Sequence, residues 1–232
     1  MKRIHTGSYL FPLLTLVIIA FQFETSQGAE VSELTAIVNK IGIKGQGHSD
    51  AREAMAQLGK MEPVSAVAIL SHFDSSNKLA MNWLRAAVDG ILENGVARSQ
   101  ELPVTALVKF LQDQEQDAYA RRVAYEWIIE VEPQRKSAIL EKSLNDPSLE
   151  IRREAVAFAL DSAANLEAAS SEKALEKYRS TLVSARDIDQ IDSITESIER
   201  LGATVDLPSH FGFLMNWHLI GPFDNSGKSG LD

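Results

Sequence analysis

The chain has 232 residues, with 23 Lys and Arg against 32 Asp and Glu, a formal charge of −9, and no cysteine. The missing thiols exclude disulfides, thiol nucleophiles, cysteine-ligated zinc, iron–sulfur clusters and covalently attached haem. The acidic balance excludes a nucleic-acid partner, because affinity for a phosphate backbone rests on basic side chains that displace its counterions, and no basic stripe is present to hold anionic lipid.

The first 28 residues differ from the rest. Lys2, Arg3 and His5 make a positive start, residues 9–23 are apolar apart from Pro12, Thr15 and Gln22, and Ser26, Gln27 and Gly28 offer small residues to a signal peptidase. This order is that of a cleavable secretory signal, with the cut expected after Gly28. The apolar run is shorter than the roughly 20 residues that cross a bilayer, so membrane contact is expected only during export, to a periplasmic or extracellular destination. Cleavage removes two of the 23 basic and one of the 32 acidic residues, leaving 21 against 31 and a charge of −10. The 204 residues that remain are enough for one core or two.

From Val31 to Leu201 apolar residues recur at steps of three and four, which predicts helices throughout. Turn residues at Gly45-Gln46-Gly47, Glu62-Pro63, Asp74 to Asn77, Gly95, Pro103, Pro133 and Asp146-Pro147 cut this stretch into helices of about 10 to 15 residues. Superposed, the segments repeat. The clearest copy is Leu140 to Leu160, in which one helix ends near Leu144, Asp146-Pro147 turns the chain, and Ile151, Ala155, Phe158 and Ala159 line a second helix. A second copy sets Leu107, Phe110, Leu111 and Asp113 against Arg121, Ala124 and Ile128, with a turn two residues longer. A third sets Ile69, Leu70, Phe73 and Asp74 against Leu84, Arg85 and Val88, and a fourth pairs Leu34, Ile37 and Ile41 with Arg52, Met55 and Leu58. The arginines advance by 33, 36 and 31 residues, an uneven step that marks a divergent array.

A turn aspartate followed six residues later by an arginine, as Asp146 is by Arg152, resembles the HEAT repeat. The resemblance implies an all-α fold, a short irregular HEAT-like α-solenoid of about four to five helix pairs over residues 29–202. It also implies a ladder of hydrogen bonds between neighbouring repeats, with Asp74, Asp113 and Asp146 and the arginines Arg85, Arg121 and Arg152 as its members. Ala174, Leu175, Tyr178 and Leu182, then Ile188, Ile191, Ile194, Ile198 and Leu201, form a closing pair of helices with Gly202 as C-terminal cap.

Residues 203–232 are a linker and an incomplete β segment. Met215, Trp217 and Leu219 alternate with Asn216, His218 and Ile220, the pattern of a strand. A lone strand needs a partner. The run from Phe211 to Asp232, with its stretch W-H-L-I-G-P-F-D-N-S-G-K-S-G-L-D from Trp217, resembles the opening of a galactose-binding-like or jelly-roll β-sandwich in large secreted bacterial proteins, where it follows HEAT-type repeats. That resemblance implies a shortened relative of a carbohydrate-binding or carbohydrate-active protein.

No catalytic constellation is visible. His48, His72, His210 and His218 lack zinc-site spacing; His72 beside Asp74 fits a histidine at a helix C-terminus. Gly42, Gly45 and Gly47 lack the ending of a phosphate loop. Asp224, Asn225, Ser226 and Asp232 fit an Asx turn better than a calcium loop, and Trp83 and Trp127 fit core packing better than sugar stacking. The expectation is therefore a non-enzymatic scaffold without cofactor, taking a protein partner or an adjoining domain, with carbohydrate binding as the alternative.

Overall fold

A computed structural model describes residues 28–221 and Gly227. Residues 1–27 of the expected signal segment 1–28, and the Asp224, Asn225, Ser226 and Asp232 loop, lie outside the described residues. The fold is all-α: eleven α-helices, and no strand among the described residues. None of these helices is long and apolar enough to cross a membrane. In order they are α1 (28–38), α2 (His48–Leu58), α3 (Ser65–Leu70), α4 (Lys78–Ala97), α5 (Val104–Gln112), α6 (Ala118–Val131), α7 (Lys136–Leu140), α8 (Leu149–Glu167), α9 (Ser171–Leu182), α10 (Ile188–Arg200) and α11 (Leu207–His210). The chain divides into two compact units, Met1–Phe158 and Ala159–Asp232.

In the first unit, α5 presents Val104, Leu107, Phe110 and Leu111 on one buried stripe, and α6 answers with Ala120, Val123, Ala124 and Ile128. Alanine on the facing helix lets the two axes approach closely, since it adds little bulk between them. The same plan recurs: α3 packs on α4, on α5 and on α6, and α2 lies against α4. One cluster of buried residues runs from Val31 through to Ala155. Side chains start the helices where the sequence changes period. The Asp117 carboxylate accepts the Tyr119 and Ala120 N–H groups at 2.9 and 3.0 Å, and the Asn77 side chain accepts that of Ala80 at 3.1 Å. Asn77 also donates from Nδ2 to the Asn39 and Ile41 carbonyls, pinning the end of α1 to the start of α4.

Two sequence expectations change. Gly95 does not break α4 but lies buried inside it, where a Cβ would come within 2.7 Å of Pro63 and 2.8 Å of Leu102. The glycine is a close-approach residue, not a turn. The strand expected around Met215 to Ile220 is not formed. Residues 213–221 take no regular structure, and Trp217 and Leu219 are 78 and 101 % exposed. Alternation of side chains makes a strand only when a neighbour accepts its backbone hydrogen bonds, and the described residues supply none.

The interaction that joins most elements of the first unit is buried and charged. Arg121, 2 % exposed, donates from NH1 and NH2 to the two carboxylate oxygens of Asp146, 5 % exposed, at 3.0 and 2.5 Å. Its Nε donates to the Leu111 carbonyl at the end of α5 at 2.8 Å. Asp146 also accepts the Ser148 N–H at 2.8 Å, which shapes the turn into α8, and its carbonyl accepts from Arg152 at 2.9 Å. One guanidinium thus ties α6 to the C-terminus of α5 and to the turn between α7 and α8.

In the second unit, Tyr178, Leu182, Ile194 and Ile198 are buried, and α9 packs on α10. Gly202, at φ 82°, closes α10 as expected, with the Ala203 N–H reaching the Ile198 carbonyl and the Gly202 N–H that of Glu199. At the end of α8, Glu167 accepts two hydrogen bonds from Arg200, at 2.6 and 3.0 Å, and one from the Tyr178 hydroxyl at 2.6 Å. The Arg200 guanidinium, then the phenol, hold the Glu167 carboxyl down at about 2.

Two outcomes are expected. Asp146→Ala leaves a buried guanidinium without its counter-charge and should cost about 3–5 kcal/mol in urea unfolding. The apolar pair Arg121→Met with Asp146→Leu should recover most of that loss. Because folding depresses the Glu167 pKa, its contribution is complete above the ordinary glutamate value and fades as pH falls from about 4.5 towards about 2. The gap in melting temperature between wild type and Glu167→Gln should therefore close across that window.

Candidate functional site

On α4, Arg85, Asp89, Glu93 and Ala97 follow one another at steps of four, with Val96 three after Glu93, and share a face. On α6, Glu126 and Trp127 are each followed four residues later, by Glu130 and Val131. Together these nine residues line a groove of about 720 Å³ between the two helices. Such a volume lies in the range of ligand and peptide clefts, about 300–1,000 Å³.

The inner end is a polar network. The Trp127 indole N–H donates to Asp89 at 2.8 Å, and Asp89 receives the Arg85 Nε at 3.2 Å. Arg85 NH2 donates to Glu126 at 2.7 Å, and Arg122 bridges Glu126 at 2.9 Å and Glu154 on α8 at 2.5 Å. Glu154 also accepts the Tyr125 hydroxyl at 2.7 Å and pairs with Lys136 at 3.1 Å. Three cations and three carboxylates alternate across α4, α6, α7 and α8, so the network is neutral within itself. Burial opposes the Arg85 charge, but Tyr119, Glu126 and Asp89 outweigh it and raise its proton affinity above the usual guanidinium value. Burial followed by the Glu154 charge pushes the Tyr125 phenol well up. Burial alone would raise Glu154, but Tyr125, Arg122 and Lys136 prevail and its carboxyl titrates below the ordinary range.

The outer end is different. Glu93 and Glu130 are exposed and join no ion pair among the described residues, and beside them Val96 and Val131 are 55 and 37 % exposed. Trp127 itself is half-buried and packed against the core, as is Trp83, whose ring lies 5.3 Å from that of His48.

The expected ladder residues fall into three situations. Arg121 and Asp146 meet in the buried pair, and Arg152 reaches the Asp146 carbonyl. Arg85 does not meet Asp113 but belongs to the groove network. Asp113 and Asp74 shape their own turns. Asp113 accepts from Gln116 Nε2 at 2.9 Å and from the Glu115 N–H at 3.2 Å, and Asp74 accepts the Ser76 N–H at 2.9 Å. Those bonds hold both carboxyls below their usual range, led by the Gln116 side chain in one case and the Ser76 side chain in the other. Asp113 thus bonds within its own longer turn, and Arg121 reaches it only through its charge.

Asp89, Glu126 and Glu154 were not singled out from sequence. Arg85 with Asp89 and Arg122 with Glu126 are i, i+4 pairs, a helix-surface signal that marks them in retrospect. His72 matches the helix-end expectation, with Nδ1 2.7 Å from the Ala68 carbonyl. Gly45 and Gly47, at φ 84° and 70°, are turn glycines. Among the described residues no three of His, Asp and Glu converge as a metal site.

No family model, curated protein or solved structure matches the chain.

Replacing Glu154 with glutamine removes the charge that Arg122, Lys136 and Tyr125 share. The first unit should lose roughly 1–3 kcal/mol in urea unfolding, followed by Trp127 fluorescence.

Proposed function

We propose that the chain is an exported, non-enzymatic helical-repeat scaffold whose groove between α4 and α6 receives a protein partner or an adjoining domain. The groove carries this proposal: its inner end is neutralised and cross-linked by side chains from four helices, while its outer end leaves apolar and charged groups open. A rigid floor beneath an unsatisfied rim is what a docking surface needs, since little order remains to be imposed on binding.

The HEAT-like solenoid is supported by the order of contacts. First helices meet the next first helix, as α3 meets α5, and second helices the next second helix, as α2 meets α4. The buried Arg121–Asp146 pair, which joins two neighbouring copies of the repeat, supports the ladder that the resemblance implies. Export rests on the order of charge, apolar run and small residues in the first 28 positions.

A second proposal, that the chain is the N-terminal part of a longer secreted carbohydrate-binding protein, is favoured by one observation. Phe213, Leu214, Met215, Trp217, Leu219 and Ile220 are all exposed in the segment that resembles the opening of a β-sandwich.

A photo-crosslinking residue at Ala97, in the groove, should trap one discrete polypeptide in the exporting cell. The same residue at Lys109, exposed on α5, should not. The exported form should begin at Ala29 by N-terminal sequencing. Equal labelling from both positions would overturn the groove as the docking surface, and a glycan signal mapping to residues 211–232 would favour the second proposal.

A further inference from the structure

Within the groove just proposed as a docking surface, the charges decide what can occupy it. Asp89 and Glu126 are matched by Arg85, and Glu126 again by Arg122. Glu93 and Glu130, each one helical turn further along its helix, have no such match, so the outer end carries two open carboxylates beside Val96 and Val131. A neutral apolar segment docking there would strip water from both carboxylates with nothing in return. An acidic segment would be repelled. A cation restores the balance, and an aliphatic stem covers the valines at the same time.

We infer that the groove between α4 and α6 takes a basic, amphipathic segment of a partner polypeptide. A lysine or arginine head meets Glu93 and Glu130, and the neighbouring aliphatic side chain rests on Val96 and Val131. The inference rests on the docking role proposed above and names the chemistry of the partner. A polypeptide is favoured over a free polyamine because about 720 Å³ holds several side chains and part of the lining is aliphatic.

The test uses the mature chain with Trp83→Phe and Trp217→Phe, which leaves Trp127 as the only indole. A short synthetic leucine–lysine peptide is titrated in, and the Trp127 emission followed. The expected result is a saturable change that weakens with added sodium chloride and weakens about tenfold in Glu93→Gln with Glu130→Gln. Glu172→Gln with Glu176→Gln, exposed on α9, should leave the affinity as it was. Equal binding of a leucine–glutamine peptide, an unchanged affinity in the Glu93 and Glu130 variant, or displacement by spermine at the peptide's own concentration would overturn the inference. If Ala97 traps a polypeptide while the leucine–lysine peptide is ignored, docking stands and the basic partner falls. If neither occurs, both fall.

Discussion

A guanidinium and a carboxylate removed from water stand at the centre of the first unit, and much of its geometry follows from keeping them satisfied. Burial of either ion alone is costly, so the pair persists because the two ions meet each other and further hydrogen-bonding partners. Arg121 meets that demand with the two oxygens of Asp146 and the Leu111 carbonyl, and Asp146 with the Ser148 N–H besides. The requirement is strict in direction as well as in count. A planar guanidinium offers its N–H groups in a fixed fork, so the end of α5, the start of α6 and the turn into α8 have little freedom to slide past one another. Apolar packing such as that of Leu107 against α6 supplies the driving force, and the buried pair selects one register among the many that packing alone would accept.

The groove network applies the same chemistry at partial exposure. Arg85, Arg122 and Lys136 alternate with Asp89, Glu126 and Glu154, each roughly a fifth to a half exposed at the side chain. An isolated surface pair of this kind contributes little, because solvent screens it. Here each carboxylate is held by at least two donors, so loss of one bond does not release the others. The Trp127 indole is anchored through Asp89 to the same chain of charges. What the network contributes is chiefly the placement of α4, α6 and α8 relative to one another along the groove.

The helices were legible because their signals are local. The stripes of α5 and α6, the Asp117 and Asn77 caps and the Gly202 terminus lie within a few residues of the structure they cause. Asp146 and Arg121 were also marked, but only as members of a repeat pattern, since nothing in a one-dimensional spacing says which arginine reaches which aspartate. Asp113 and Arg85 were marked as ladder members in the same way, but Asp113 bonds to Gln116 and the Glu115 N–H within its own turn, and Arg85 to Asp89 and Glu126. Gly95 was misread because glycine is permissive in a turn and equally useful where a helix is closely approached by other parts of the chain, and only the distances to Pro63 and Leu102 separate these roles. The Met215 to Ile220 run was misread because strand formation depends on a second chain segment that the alternation cannot supply.

The groove itself was invisible for a related reason. Its acids come from two helices about forty residues apart, each in an ordinary i, i+4 row that looks like a solvated face. Placed side by side, the rows differ from such a face in one respect: their inner members are consumed by Arg85 and Arg122, and their outer members are not. A stable fold gains nothing from leaving Glu93 and Glu130 next to each other's helix beside exposed valines, since the carboxylates repel and the valines remain in water. An occupant that brings both a cation and an aliphatic surface removes both penalties at once, whereas one that brings only a cation, or only an aliphatic surface, removes one and leaves the other. On the docking role proposed above, that asymmetry would make the groove discriminate by the combination of charge and apolar area, and not by either alone.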